Sequence, residues 1–316
     1  MCGGPIGKPP LARIRLRAAA ILWQEKAGNT GAGIAAMDIL VTIMAHNEER
    51  RIAACLDTMP LGVAGIEICV VVNGSSDRTA EIVRGYGARG VRLVEYERGG
   101  KSRSWNRWIL DEAPVAEAYV FADGDAEFLP GTVQALADTL ARHPQANAAA
   151  GLPRNGRRAE YYRECIRRDH GLFGDCYALS GAFVSRMRAR GVGLPEDTIG
   201  DDGLIAAFAN TDLGRDADWR DDALVVCEEG GFLCEPNRLT PRGLSQQAKR
   251  MTNYSLRHFQ NRIISAIMRG EGAGALPDRL STLYADWLPR LTPRLSPMWF
   301  VFDRRALARM AAAADG

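Results

Sequence analysis

The feature that most constrains this chain is a succession of four apolar segments of strand length, at residues 39–45, 66–72, 91–95 and 118–122. Each ends in polar or glycine-rich punctuation. Apolar and polar residues hardly alternate within them, which is the pattern of strands buried on both faces of a parallel sheet. Helical spacing fills the gaps. Ile52, Cys55, Leu56 and Met59 fall on one helix face before Pro60 stops the run. Ser76 is placed to cap a helix through Ala80 and Val83 to Tyr86. A helix over 102–110 follows Gly99-Gly100. Pro130 can open another, with Val133, Leu136, Ala137 and Leu140 on its inner face. Four such βα repeats predict an α/β fold, a mostly parallel sheet flanked by helices. Ligands of such sheets bind beyond the carboxyl ends of the strands. There the chain carries His46-Asn47-Glu48, Asn73, Lys101 and Asp123-Gly124-Asp125.

Charge divides the 316 residues into three. Residues 1–36 hold five basic residues and one acid, residues 37–235 hold 22 and 32, and residues 236–316 hold 13 and five. A near-neutral total of +2 therefore hides an acidic body and a basic tail. Residues 1–36 read as a leader, either disordered or preceding the true start at Met37, and stand outside the fold argument. The body, 37–235, is one domain, and 236–316 is a basic helical extension. Seven cysteines, none in a CxxC pair, argue against a disulfide framework and a structural zinc site. A reducing cytoplasm fits them. No window approaches a membrane span. An acidic body disfavours nucleic acid as a partner. No GxGxxG follows a strand and no GxSxG elbow is present, which disfavours dinucleotide binding and a serine nucleophile.

Asp123-Gly124-Asp125 sets two carboxylates just past a strand, with a glycine that lets the backbone turn tightly. Hard oxygen ligands so arranged suit Mg²⁺ or Mn²⁺ shared with a substrate phosphate. An Asp-Gly surface turn would look the same. Asp201-Asp202 opens a predicted helix. Complementing the helix dipole would explain the pair, and so would a general base aimed at a substrate hydroxyl.

The order Ala45-His46-Asn47-Glu48-Glu49, Asn73-Gly74-Ser75-Ser76-Asp77-Arg78-Thr79, Gly100-Lys101, Asp123-Gly124-Asp125, Leu179-Ser180-Gly181-Ala182 and Asp201-Asp202-Gly203-Leu204 resembles the family 2 glycosyltransferases of the GT-A fold. The resemblance covers residues 38–235. It implies a nucleotide-diphospho-sugar donor, a divalent cation (Mn²⁺ or Mg²⁺) and inversion at the anomeric carbon. By this resemblance Ala45, Asn47, Glu48 and Asn73 line the donor's nucleotide pocket, and Lys101 lies near its phosphates. Asp123, with Gly124, meets the ribose or the metal, and Asp125 ligates the metal. Gly181 belongs to a loop beside the sugar and acceptor. Asp202, with Asp201 before it, stands at the general base. The chain departs from the family at Asn73, where an Asp is frequent, and at Asp201, where the family has Glu. A UDP-sugar is the favoured donor. The acceptor is a hydroxyl compound, on a lipid or glycan carrier if the chain works at a membrane surface. The alternatives are a sugar nucleotidyltransferase and a non-catalytic member that binds a nucleotide sugar. The first expects a Gly-rich loop where His46-Asn47-Glu48 stands.

Four histidines remain. His143 precedes Pro144 at a helix end and reads as a cap, His170 as solvated, and His46 as an orienting group. His258 is a candidate distant metal ligand. Lys249, Arg250, Arg257, Arg262 and Arg269 recur along one helical segment. They suit either a lid, with Lys249 or Arg250 over the diphosphate, or a peripheral contact on the inner face of a membrane. In the second reading Leu256, Phe259, Ile263 and Trp299-Phe300-Val301-Phe302 are the anchors. Trp105 and Trp108 read as core.

Overall fold

Residues 37–234 and 241–314 are described by a computed structural model. The expectation of a leader at 1–36 and the boundary at 235–236 lie outside the described residues. Strand β1 (Met37–Ala45) is followed by α1 (Ile52–Asp57), β2 (Ile66–Asn73), α2 (Thr79–Gly85), β3 (Val91–Tyr96), α3 (Lys101–Asn106) and β4 (Ala116–Asp123). These strands pair in parallel, and their last residues come to one edge: Ala45 lies opposite Val72, Met44 opposite Asp123, and Asn73 opposite Tyr96. Register thus brings the polar residues that end each apolar run into one row.

The second half departs from a simple repeat. Short β5 (Ala126–Phe128), α4 (Thr132–Arg142), β6 (Ala148–Pro153), α5 (Ala159–Asp169), β7 (Cys176–Ser180), α6 (Gly181–Arg190), α7 (Asp201–Asn210) and β8 (Leu224–Cys234) complete an eight-stranded sheet. Its order is β3-β2-β1-β4-β7-β6-β8-β5. Strand β7 runs antiparallel to both β4 and β6. Next comes α8 (Pro241–Gly270), then short turns, then α9 (Pro297–Ala314).

Both faces of the sheet are covered. Ile39, Val41 and Ile43 pack on one side with Ile52, Leu56, Val83 and Leu136. Leu40 and Met44 pack on the other with Trp105, Trp108, Phe121 and Tyr177. That second layer also takes in Leu256, Phe259 and Ile263 of α8 and Ala306 and Met310 of α9. Leu256, Phe259 and Ile263 are buried, so they are core residues and not membrane anchors. Trp105 and Trp108 are core as expected; their indole N–H groups donate to the Tyr177 hydroxyl at 3.1 Å and the Thr42 hydroxyl at 2.9 Å.

Local chemistry moved two boundaries. Ser76 does not cap α2. The backbone N–H of Ser76 is taken by Asn47 Oδ1 at 2.8 Å, and the Asp77 carboxylate accepts from the N–H of Thr79 at 3.0 Å, so the helix starts at Thr79, two residues later than a Ser76 cap would set it. The helix expected over 102–110 is regular only to Asn106 and then widens to an i→i+5 turn over Arg107–Glu112.

Candidate active site

The row of strand ends is built from the backbone outward. The Asn73 side chain is buried and spent on its neighbours. Its amide N–H donates to the Ala45 carbonyl at 3.1 Å, and its Oδ1 accepts from the N–H of Gly100 at 3.2 Å. It therefore fixes the loop before Lys101. His46 Nδ1 donates to the Asn73 carbonyl at 2.7 Å, which leaves Nε2 to accept from the Asn47 amide at 3.1 Å. Asn47, at a positive φ of 57°, ties its own N–H to the Ser75 hydroxyl at 3.0 Å. Gly74 (φ +64°) is required, because a Cβ there would collide with the backbone of Gly99.

Three carboxylates converge below this frame. Asp123, Asp125 and Asp175 each present an oxygen, and these atoms lie within 4.8 Å of one another. Asp175 was not singled out from the sequence. It sits just before β7, and β7 is antiparallel to β4, so Cys176 lies opposite Ala122 at the site edge. The same direction puts Ser180 opposite Ala118, four residues down the strand. Gly181 is therefore at the other end of the sheet, a correction to its expected place beside the sugar. A Cβ on Gly181 would collide with the Ala116 carbonyl, and Ser180 caps α6 by accepting from the N–H of Phe183 at 3.3 Å. Gly174 takes the site position instead: a Cβ there would stand 3.2 Å from Lys101 Nζ and 3.7 Å from Asp123.

Cations already neutralise part of this charge. Lys101 Nζ lies 2.7 Å from Asp123 and 3.4 Å from Asp201. Burial alone would lower its pKa, but Asp123 and Asp201 outweigh burial and hold it well above the usual lysine value. Arg51, opening α1, bridges Asp125 and Glu48, at 3.1 Å from each. Glu48, Asp175 and Asp123 are pushed up. Burial first, then Asp125, raises Glu48 to about 7. Burial first, then Asp123 and Asp125, raises Asp175 to about 7. Asp123 is raised by burial against the pull of Lys101.

The Asp201-Asp202 pair opens α7 after Gly200, whose φ is +81°. Asp201 is buried against Lys101, and its Oδ2 accepts no hydrogen bond. Asp202 is more exposed. Its Oδ1 accepts from Arg257 of α8 at 2.8 Å and from the N–H of Gly203 at 2.9 Å. Arg257 passes over Gly200, where a Cβ would collide with the guanidinium. His258 is not part of the carboxylate group. The charged residues that act on it are Arg294, Asp303 and Arg262, and burial followed by Arg294 lowers its pKa. It packs beside Phe259. His143 caps α4 as expected, through Thr139 O at 2.9 Å.

This geometry can be set beside known proteins. The family model described as Glycosyl transferase family 2 matches residues 40–194, about half of the chain. The chain belongs to this family. Over 98 residues this family 2 chain is 33% identical to the 4,4'-diaponeurosporenoate glycosyltransferase of Staphylococcus haemolyticus, 30% of this chain and 26% of that one. Over 94 residues it is 32% identical to the enzyme of the same name from Staphylococcus aureus USA300, 29% and 24% of the two chains. The matches span about a quarter of the curated relatives' length. Among solved structures, the mannosyltransferase PcManGT of Pyrobaculum calidifontis, in complex with GDP-Man and Mn²⁺, superposes with a TM-score of 0.53 at 22% identity, over 95% of this chain and 85% of that one. Residues 1–349 of TarS from S. aureus, in complex with UDP-GlcNAc, give 0.50 at 14% identity, over 88% and 82%. The fold of this family 2 chain is GT-A.

Proposed function

We propose that this chain transfers a sugar from a nucleoside-diphosphate sugar to an acceptor hydroxyl, with inversion and with a divalent cation. The observation that carries this reading is the convergence of Asp123, Asp125 and Asp175 beside Lys101 and the Asp201-Asp202 pair at the strand ends. Three hard oxygen donors held within 4.8 Å of one another are a set that a dication would relieve, and their chemistry suits Mn²⁺ or Mg²⁺. Bound there, the cation would supply Lewis-acid neutralisation of the leaving diphosphate.

The chain's own residues do the rest. Lys101 is held charged where a departing phosphate gathers negative charge. Asp202 is the base that takes the acceptor's proton. Its Oδ1 is anchored by Arg257, which leaves Oδ2 for the hydroxyl. Asp201 positions Lys101. A direct displacement needs no covalent intermediate. The nearby thiol of Cys55 is unsuited to one, since burial and then Asp125 push its pKa far above neutrality. Asn47, Glu48 and Gly124 frame the nucleotide side, with a UDP-sugar as the favoured donor. The relatives support this donor class by what they are described with: GDP-Man and Mn²⁺ in one, UDP-GlcNAc in the other.

Arg257 is the basic residue of α8 that meets Asp202. A peripheral contact with a membrane surface, on its cytoplasmic face, is the second element of the proposal. It falls to Leu295, Met298, Phe300 and Val301, which are exposed.

Thermal unfolding of the purified chain with UDP, GDP or dTDP, with and without Mn²⁺, tests the reading. A nucleotide at 100 times its dissociation constant stabilises by ~2.7 kcal/mol. The expected result is a Mn²⁺-dependent shift that Asp125→Ala abolishes. No shift with any of the three would overturn the donor assignment.

A further inference from the structure

Beside Lys101 and Asp201 lies a cavity of about 790 Å³. Its volume falls within the range of small-molecule sites, roughly 300–1,000 Å³. The C-terminal segment supplies much of its wall. Leu256 of α8, Tyr284, and Met310, Ala312 and Ala313 of α9 meet Ile199 from the loop before α7. These residues make an apolar interior. Charged side chains also line it, and several are already engaged. Asp197 accepts from the N–H groups of Leu280 and Ser281 at 2.7 and 2.9 Å, and Arg309 donates to Asn253 at 2.9 Å.

The cavity and the carboxylate cluster share one group. Lys101 borders the cavity and is 2.7 Å from Asp123. Gly200 and Asp201 also border it, and Asp202 is the next residue along α7. A molecule lodged in the cavity therefore has its polar end beside Lys101 and Asp201, one residue from the proposed base, and its body against the apolar side chains of α8 and α9.

We infer that this cavity is the acceptor site and that it takes a hydroxyl-bearing molecule with an apolar body. The inference rests on the sugar-transfer reading for the word acceptor, but not for the binding itself. Its reasoning is physical. The hydroxyl needs only the edge at Lys101 and Asp201, whereas the wall made by Ile199, Leu256, Met310, Ala312 and Ala313 would reward apolar area removed from water. A bare sugar or a small anion would leave that interior wet. The lining of α8 and α9 makes acceptor choice a property of the extension, not of the parallel sheet.

Octyl β-glucoside, below its micelle concentration, is the probe, and methyl β-glucoside is its polar match. Calorimetric titration of the full chain is expected to give saturable octyl glucoside binding, on the order of tenfold or more tighter than methyl glucoside. Ala313 is exposed at the cavity, so Ala313→Trp fills it without disturbing buried core, and Ala312→Trp provides a second filling from the same helix. Either variant, with an unchanged melting temperature, is expected to weaken octyl glucoside at least tenfold. Equal affinity for the two glucosides, or octyl glucoside affinity unchanged in both tryptophan variants, overturns the inference. Mn²⁺-dependent UDP or GDP binding, measured on the same samples, separates the two claims. Its absence from the unaltered chain sinks the sugar-transfer reading, while the glucoside titrations still decide what the cavity takes.

Discussion

Charge at the site is balanced residue by residue. Asp123 leans on Lys101, Asp125 on Arg51 and Asp202 on Arg257, while Asp175 has no ion pair among the described residues. Asp175 is therefore the carboxylate whose charge is least compensated before a cation arrives. Asp175→Asn is expected to weaken Mn²⁺ binding by roughly tenfold or more, read by calorimetry, since it removes one of three hard donors. Retained affinity would remove Asp175 from the ligand set. Asp202→Asn separates chemistry from binding. Loss of a general base costs roughly 10²–10⁴ in rate, so kcat is expected to fall by that factor while nucleotide affinity stays. A second buried carboxylate, away from the site, is expected to make stability fall in acid. Asp303 is buried on α9, and Arg294 donates to it from its backbone N–H, its Nε and its Nη2 at 2.8, 2.9 and 2.6 Å. Burial alone would raise its pKa, but these bonds outweigh it and hold the carboxyl at about 2 against an ordinary 3.8. A folded-state pKa below the unfolded one stabilises above pH 4 and is lost as pH falls toward 2. The difference corresponds to about 2 kcal/mol. Denaturant unfolding at pH 7 and pH 2.5 should show that loss, and Asp303→Asn should flatten its share of it.

At the scale of elements, direction decides which residues share the site. The four parallel strands were legible in the sequence because a doubly buried strand has no polar alternation and must end in polar residues. Observed bounds differ from the apolar runs by no more than about two residues at either end. The same local signal could not tell which way β7 runs. Leu179-Ser180-Gly181-Ala182 has the composition of a site turn, but pairing antiparallel to β4 sends it away and brings Gly174-Asp175 in. Strand direction is set by where the chain re-enters the sheet, a long-range matter that no window of sequence carries. A signal for Asp175 did exist: an Asp after Gly, directly before an apolar run, repeats the punctuation of the other strand ends. Arg257 was visible only as one of five basic residues along a helix, and the one that reaches Asp202 depends on α8 crossing Gly200. The reassignment of Gly181 has a test. Gly181→Ala drives a Cβ into the Ala116 carbonyl, and overpacking of this kind costs about 1–3 kcal/mol. Denaturant unfolding should show that loss. Mn²⁺ affinity should stay within about twofold, because distant sites act independently. A large loss of Mn²⁺ affinity with stability intact would restore Gly181 to the site.

Across the whole molecule, the basic tail resolves into a buried part and an exposed part. Leu256, Phe259 and Ile263 close the core, Arg257 reaches the catalytic edge, and no helix among the described residues is long and apolar enough to cross a membrane. What stays outside is the start of α9. Leu295 is 96% exposed, Met298 54%, Val301 49% and Phe300 41%, an apolar cluster that a water-soluble surface does not favour. Arginines surround it: Arg304 and Arg305 lie 5.9 and 5.8 Å from the rings of Phe300 and Phe302, and Arg294 stacks 4.1 Å over Trp299. Aromatic and aliphatic residues rimmed by arginine suit an anionic lipid surface, where apolar side chains enter the acyl boundary and guanidinium groups meet headgroups. Phosphate-bearing lipid rather than a protein partner is favoured by that charge, since Asp303, the acid within this stretch, is already neutralised by Arg294. Sedimentation with vesicles is the measurement. Binding is expected to phosphatidylglycerol vesicles and not to phosphatidylcholine ones. It should weaken as salt rises from 0.01 to 1 M, because screening shortens from about 30 Å to about 3 Å. Leu295→Glu and Phe300→Glu should each lower it with Mn²⁺ affinity unchanged, because both side chains lie on the surface and outside the carboxylate cluster. Equal binding to neutral vesicles, or indifference to both substitutions, would mean that this face does not meet a membrane, and that an apolar acceptor must reach the cavity from solution.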